Sequence, residues 1–179
     1  ANLQGLDLQG KNFSGAHFTE AVLSGANLAD TDLSGANFTG AVLSGANLRN
    51  ADLSDACFTG ANLSSADLSD ATIDGTKFVN TNCYQTIFRF DNSWSDEPSD
   101  FTGSSLLNSN FSGSVIFQTD FSGAELTMTN FRETELLDVT LSFSQLSKAR
   151  LYQTMINNST FFNNGYKVSD LTSIDTKFL

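Results

Sequence analysis

The 179-residue sequence is poor in the residues that most often mark catalysis and metal binding. It contains one histidine, two cysteines, one tryptophan and one proline. A zinc site or an activated nucleophile needs several such groups in a matched arrangement. The one histidine, His17, is expected on the surface beside Phe18. We therefore expect no enzyme activity, no metal site and no cofactor.

Basic residues are also scarce. Nine Lys and Arg stand against 20 Asp and Glu, which gives a net charge of −11. Binding to nucleic acid or to an anionic membrane requires a basic surface, so neither partner is expected, whereas a basic protein surface remains compatible. No apolar run reaches the length of a membrane span. No signal peptide is recognisable, and the start at Ala1 fits either a processed or a shortened N-terminus.

The two cysteines are not expected to form a disulfide. Cys83 occupies a position that otherwise repeats as Leu or Phe, so it is predicted to be buried. Cys57 precedes such a position and is predicted to point outward. Opposite orientations are incompatible with disulfide geometry. Two cysteines leave the redox compartment open.

The dominant feature of the chain is a five-residue repeat: a small residue, a polar residue, Leu or Phe, Ser or Thr, and a turn residue. Leu or Phe recurs at every fifth position from Leu3 to Phe78, apart from Ile73. Residues two apart in an extended chain share a face, so the small residue and the Leu or Phe are predicted to point inward. Ser, Thr, Asp and Gly at the other two positions predict a tight turn. One short strand and one corner per repeat predict a polygonal coil.

This pattern resembles that of the pentapeptide-repeat proteins, Ala-(Asp/Asn)-Leu-X-X. The resemblance covers nearly the whole chain, is most specific from Ala1 to Phe88, and is closest in style to cyanobacterial and chloroplast-lumen members. It implies an all-β fold, a right-handed quadrilateral parallel β-helix with four repeats and twenty residues per coil. Eight to nine coils would make a rod about 40 Å long.

Coils of twenty residues predict columns of like side chains, and the sequence contains such columns. One column is Phe18, Phe38, Phe58 and Phe78, and its neighbour is Leu3, Leu23, Leu43, Leu63 and Cys83. The pattern lapses over residues 89–98. If that coil has three additional residues, the columns continue through Phe101, Phe121 and Phe161 and through Leu106, Leu126 and Leu146. Ser93 or Trp94 would then take the missing inward position.

We therefore predict a single β-helix over residues 1–179. Its parts are regular repeats over 1–88, an inserted loop over 89–98, degenerate repeats over 99–164 and a C-terminal cap over 165–179. In the degenerate part Ser and Thr replace the inward Ala, and their hydroxyls are predicted to bond between coils. Helical spacing near the C-terminus predicts a short amphipathic capping helix, and one more coil ending at Phe178 is the alternative.

The inserted loop has two functional interpretations, a calcium site and an interaction anchor. Asp91, Ser93, Ser95 and Glu97 alternate as in a calcium loop, but the glycine and the final glutamate of such a loop are absent. The favoured interpretation is an acidic, solvent-exposed loop that binds no calcium. Trp94 is predicted to plug the interrupted coil, with an exposed anchor as the alternative.

Two outward surfaces are candidate interaction sites. Acidic residues fall on one edge around the second and third faces of the rod, where the candidates are Asp30, Asp32, Asp52, Asp70 and Asp74. Outward apolar residues cluster in the second half, where the candidates are Phe117, Leu137, Phe143 and Phe162. Exposed apolar patches often mark contact with a partner. The alternative for both surfaces is that these are ordinary surface residues without a function, which duplication of the repeat has aligned along the rod.

The favoured function is a non-enzymatic scaffold that presents its faces to a protein partner, with a homodimer through the C-terminal half also possible. The alternative follows from the resemblance to quinolone-resistance members of the family, which implies a DNA-mimicking binder of a type II topoisomerase. The sequence itself names no compartment. The resemblance to lumenal members favours thylakoid lumen or periplasm over cytoplasm.

Overall fold

A computed structural model of the chain describes residues 1–88, 99–142, 144–146 and 148–156. Three strands are long enough to be named: β1 (Val115–Phe117), β2 (Glu135–Leu137) and β3 (Met155–Ile156). They pair in parallel in the order β1-β2-β3. Elsewhere the described chain is joined by single-residue parallel bridges, and no helix occurs in it.

Most bridges join residues that lie twenty apart in the sequence, so each coil stacks on the next; the bridges from Lys77, Asn82 and Ile87 span twenty-three residues. Each coil has four sides, which we call the first to the fourth face. They begin in coil 1 with the bridging residues Asn2, Asp7, Asn12 and His17. The backbone of Leu23 donates to Val42 O at 2.7 Å, and the same contact recurs along each face. The fold is the expected right-handed quadrilateral parallel β-helix.

The fifth coil contains the predicted three-residue insertion. Lys77 pairs with Asp100, twenty-three residues away, and twenty-residue pairing resumes from Asp100 to Asp120. Phe78 stacks on Phe101 with ring centroids 4.5 Å apart, which confirms that the Phe column continues across the lapse. The predicted occupants of the loop, including Trp94, lie outside the described residues. So do Phe161 and the predicted cap over 165–179.

The core is a set of inward columns with two aromatic ones on opposite sides. The fourth face carries the column from Phe18 to Phe121, and the second face carries Phe88, Phe111 and Phe131. Rings stack within each column and meet edge to face between them, as Phe101 and Phe111 do at 6.0 Å and 78°. This alternation fills the square interior with interlocking rings.

Corners are made by tight turns with a positive φ at the last residue of each repeat. Gly45 has φ 66°, and the turn is closed by Ala46 N donating to Leu43 O at 3.0 Å. A positive φ at this place matches a type II turn, which favours glycine. Several corners carry a side chain there instead, among them Met128 with φ 61°.

Inward hydroxyls bond between coils, as the degenerate repeats predict. Thr134 Oγ1 donates to Phe111 O at 2.8 Å, and Thr129 Oγ1 donates to Leu106 O at 2.8 Å. The hydroxyl takes the place of an inward Ala and reaches the corner carbonyl of the preceding coil. Buried polar atoms in this half are therefore paired, as a buried hydroxyl requires.

Candidate functional site

The third face of the rod, with the corner on either side of it, brings together most of the candidate interaction residues. Its outward bridging residues are Asn12, Asp32, Asp52, Thr72, Val115, Glu135 and Met155. The third-face position of coil 5 falls within residues 89–98, outside the described residues. The face is therefore described as an acidic half in coils 1–4 and an apolar half in coils 6–8.

The acidic half is built on two stacked carboxylates. Asp32 and Asp52 are direct bridge partners in consecutive coils. Asp30 and Asp70 follow inward residues of the second face and occupy turn positions with positive φ. Asp74 lies on the opposite corner, after Ile73. The predicted acidic residues thus share one surface of the rod, because the five-residue period places them there.

Neutral side chains hold Asp30 in place. Gln9 Nε2 donates to Asp30 Oδ2 at 2.9 Å, and Asn50 Nδ2 donates to Asp30 Oδ1 at 3.0 Å. These donors come from the coils below and above. The hydrogen bond from Gln9, and after it that from Asn50, lowers the pKa of the Asp30 carboxyl. Asp30 is thus stabilised in its charged form.

Asp32 is held in a similar way on the face itself. Ser34 Oγ donates to Asp32 Oδ1 at 2.7 Å, and Asn12 Nδ2 donates to Asp32 Oδ2 at 2.8 Å. The Ser34 side chain is the main cause of a lowered pKa at Asp32. Asp52 likewise accepts from Ser54 Oγ at 2.6 Å. The hydrogen bonds favour the charged form of Asp32 and fix the orientation of both carboxylates.

One arginine partly neutralises this edge. Arg49 lies 3.4 Å from the carboxylate of Asp67 and 3.7 Å from that of Asp70. Both pairs are substantially exposed, so each contributes little to stability. The acidic half therefore has an interrupted rather than a continuous negative surface.

The apolar half coincides with the three named strands. Val115, Glu135 and Met155 form one outward column, and Phe117 pairs with Leu137 in the next. Met155 is 39% exposed, while Val115, Phe117 and Leu137 are half-buried. We call Val115, Phe117, Leu137 and Met155 the apolar strip. Of the four apolar candidates, the structure brings Phe117 and Leu137 together, and Phe143 and Phe162 lie outside the described residues.

The corner between the second and third faces has a cation beside the apolar strip. The guanidinium of Arg132 lies 5.3 Å from the centre of the Tyr152 ring, a cation–π contact. A shallow depression of about 390 Å³ lies on the same corner, lined by Ser112, Gly113, Asn130, Arg132 and Glu133. Its open, polar lining offers no enclosed place for a small apolar ligand.

Several exposed side chains lie outside the sequence-predicted set. Tyr84 is 39% exposed and Met128 is 41% exposed, both at corner positions. Their exposure could have been predicted from their place in the repeat, because each is the first or second residue after an inward Leu, Phe or Cys. Cys57, which the repeat predicts to point outward, is half-buried, while Cys83 is buried, and both are free thiols.

The described residues contain no cluster of metal-ligating side chains. No group of three or more His, Cys, Asp or Glu in them could hold a metal ion. Within that same part of the chain, no helix has the length and apolarity to cross a membrane. The arrangement offers surfaces for contact with a partner, namely oriented carboxylates and partly exposed apolar side chains.

Stacked square coils with a corner every five residues define a pentapeptide-repeat β-helix, a scaffold-like rod. The chain belongs to the pentapeptide repeat family. The family's sequence model matches eight copies, over residues 1–35, 26–64, 99–132 and 117–153. Among curated proteins, none matches the chain.

Solved structures of the same fold include HetL, a pentapeptide repeat protein involved in heterocyst differentiation regulation from the cyanobacterium Nostoc sp. strain PCC 7120. It is 20% identical over 92% of this chain and 90% of its own, with a TM-score of 0.64. A trypsin-treated form of QnrB1, a plasmid-mediated fluoroquinolone resistance protein, is 20% identical over 88% of this chain and 89% of its own, also with a TM-score of 0.64. At these identities the likeness establishes the fold alone.

Proposed function

We propose that the protein is a non-enzymatic scaffold that binds a protein partner through its third face. The observation that carries this proposal is the apolar strip. In coils 1–4 the same bridging column holds Asn12, Asp32, Asp52 and Thr72, whereas in coils 6–8 it holds Val115, Glu135 and Met155. Apolar side chains that lie together and partly accessible on the outer surface of strands are typical of a contact site.

A variant that restores the polar residues of the repeat tests this proposal without disturbing the inward columns. Val115→Asn with Leu137→Ser introduces the residue types found at Asn12 and Ser34 in the first half. The full chain, tagged and immobilised, is used to retain proteins from the source cells, and the retained protein is then purified and tested for direct binding. We expect the double variant to weaken that binding by about tenfold or more.

A matched control exists on the first face. Val22 and Val42 are outward, half-buried bridge partners there, and Val22→Asn with Val42→Asn also converts them to a polar type found in the same column. The control should bind the partner as the wild type does. The proposal is wrong if the two double variants weaken binding equally, or if no retained protein binds the purified wild-type chain.

A second candidate function is mimicry of DNA toward a type II topoisomerase. The stacked carboxylates of Asp32 and Asp52 favour it, because they repeat negative charge along the rod at about 4.8 Å. The shared fold with a fluoroquinolone resistance protein also supports this candidate. The ion pairs of Arg49 count against it, since they interrupt the negative surface.

A gyrase supercoiling assay with and without fluoroquinolone tests the second candidate. Asp32→Asn with Asp52→Asn should abolish any effect of the wild-type chain. Asp100→Asn with Asp120→Asn is the matched control, because these residues are bridge partners on the fourth face. No effect of the wild-type chain at micromolar concentration, or equal loss in both double variants, would remove this candidate.

A further inference from the structure

We infer that the apolar strip binds a cationic amphipathic segment of its protein partner, an inference that rests on the proposed scaffold function. The geometry that points to it is the position of Glu135. In the outward column Glu135 lies between Val115 and Met155, paired in register with both. A negative charge therefore stands in the middle of the apolar strip.

Any partner that covers the strip must also cover Glu135. The side chain is half-buried and makes no ion pair with a described residue. Burying a carboxylate without a compensating cation is costly, whereas an ion pair formed in the interface offsets that cost. A partner with apolar side chains alone would therefore bind poorly. One that adds a Lys or Arg over Glu135 would satisfy both the apolar side chains and the charge.

The flanks of the strip have the same sign. Glu133 is exposed on the corner before the third face, and Asp138 is exposed on the corner after it. The guanidinium of Arg132, which lies on the corner before the third face, is 5.3 Å from the centre of the Tyr152 ring. Lys and Arg can lay their aliphatic stems over apolar side chains while the charged head reaches a carboxylate at the edge. Leu137 beside Glu135 offers that arrangement.

A second copy of this chain is a poorer occupant. It would bring its own Glu135 and a net charge of −11 to the same contact. Like charges placed together across an interface cost several kcal/mol. The size of the strip also fits a segment rather than a domain, because three stacked strands span about 10 Å, close to two turns of a helix.

Binding of short labelled peptides to the full chain, measured by fluorescence anisotropy, tests the inference. The Lys peptide carries Leu and Lys on one helical face, the Glu peptide has Glu in place of Lys, and the polar peptide has Lys without Leu. The wild-type chain should bind the Lys peptide, with weaker binding as salt rises. It should bind the Glu and polar peptides at least about tenfold more weakly.

Charge reversal at two positions separates the proposed contact from general attraction to an acidic protein. Glu135→Lys should weaken binding of the Lys peptide by about tenfold or more and should strengthen binding of the Glu peptide. Glu125→Lys is the matched control, since Glu125 is an outward, half-buried bridging residue of the first face. We expect it to change either affinity by less than about twofold. Thermal unfolding of both variants verifies that the rod is intact.

The inference is overturned if the Lys peptide does not bind the wild type, if the polar peptide binds as tightly, or if Glu125→Lys has the same effect as Glu135→Lys. Failure of the scaffold function looks different. If the Lys peptide binds and Glu135→Lys weakens that binding, but no cellular protein binds through the third face, the scaffold function is wrong and the binding site for a cationic segment stands. If a cellular partner needs Val115 and Leu137 for binding but binds the Glu135→Lys variant as it binds the wild type, the scaffold function stands and the inference of a cationic segment is wrong.

Discussion

Phe38 and Phe58 stack face to face with ring centroids 4.7 Å apart and an interplanar angle of 1°. Aromatic pairs that the backbone does not constrain prefer offset or edge-to-face arrangements. The parallel stack here is imposed by the backbone, because the same side chain occupies the same place in consecutive coils spaced by about 4.8 Å. The rod is thus stabilised by columns whose members depend on their neighbours above and below.

Removing one ring from the column should be costly. Phe58 is fully buried between Phe38 and Phe78. We expect Phe58→Ala to lower the free energy of unfolding by about 3–5 kcal/mol, because it leaves a cavity that stacked coils cannot close. Phe58→Leu, which introduces the residue type of other inward columns, should cost less than about 1.5 kcal/mol. Denaturant unfolding measures both, and equal costs would contradict the column account.

The inward hydroxyls of the second half should contribute measurably. Thr129 Oγ1 donates to Leu106 O at 2.8 Å from a fully buried position. Thr129→Val keeps the volume and removes the donor, so we expect a loss of about 1 kcal/mol. Thr140→Val alters an outward position of the fourth face and should stay within about 0.5 kcal/mol of the wild type. Equal losses in the two variants would mean that the bond between coils adds nothing.

Corner residues with positive φ provide a test of the turn geometry. At Gly45, with φ 66°, the place that a Cβ would take has no atom within 4 Å apart from the adjoining residues, so Gly45→Ala isolates the backbone cost, about 1 kcal/mol. Met128 carries a side chain at φ 61°. Met128→Gly should therefore raise the midpoint of denaturant unfolding or leave it unchanged. A clear fall with Met128→Gly, together with no loss for Gly45→Ala, would contradict a strained corner.

The two thiols should react very differently. At Cys57 burial acts to raise the pKa of the thiol, but hydrogen bonds with Thr59 and Thr39 and the charge of Lys77 outweigh it and lower the pKa. Burial raises the pKa of the Cys83 thiol. A disulfide reagent should modify Cys57 in the folded protein and Cys83 only on unfolding. Lys77→Gln should slow the Cys57 reaction severalfold at neutral pH, and an unchanged rate would refute the role of that charge.

Lowering the pH should reduce the contribution of the Asp30 and Asp32 carboxylates to the stability of the fold. Because the pKa values of Asp30 and Asp32 are lowered in the folded state, their contribution to stability is present above the unfolded-state pKa, about 4, and is lost as pH falls through the lower folded-state values. Asp32→Asn should therefore reduce the difference in stability between pH 7 and pH 3. Unfolding curves at the two pH values measure it. An unaltered difference would show that Asp32 titrates normally.

The columns were predictable from the sequence because each inward residue must meet a like residue one coil away. That requirement placed Phe101 on Phe78 across the lapse, and with it the three additional residues of the fifth coil. It also placed Cys83 in the interior, where the structure has it buried. In a regular repeat, a contact between residues that are distant in sequence can be predicted by counting residues along the chain.

The pairing of outward side chains was not predictable in the same way. Gln9 reaches Asp30 from a coil away at 2.9 Å, a contact set by two rotamers rather than by the period. The placement of Glu135 between Val115 and Met155 could be predicted by counting residues, but only the structure shows that Glu135 makes no ion pair with another described residue.

A photo-crosslinking residue introduced into the full chain in its source cells tests the central claim, that the third face is the contact surface, most directly. It is placed at Leu137 on the third face and, in a separate variant, at Gln145 on the first face. We predict a discrete adduct with another protein from Leu137 that is absent from Gln145. Adducts from Gln145 alone, or the same adducts from both positions, would contradict the account.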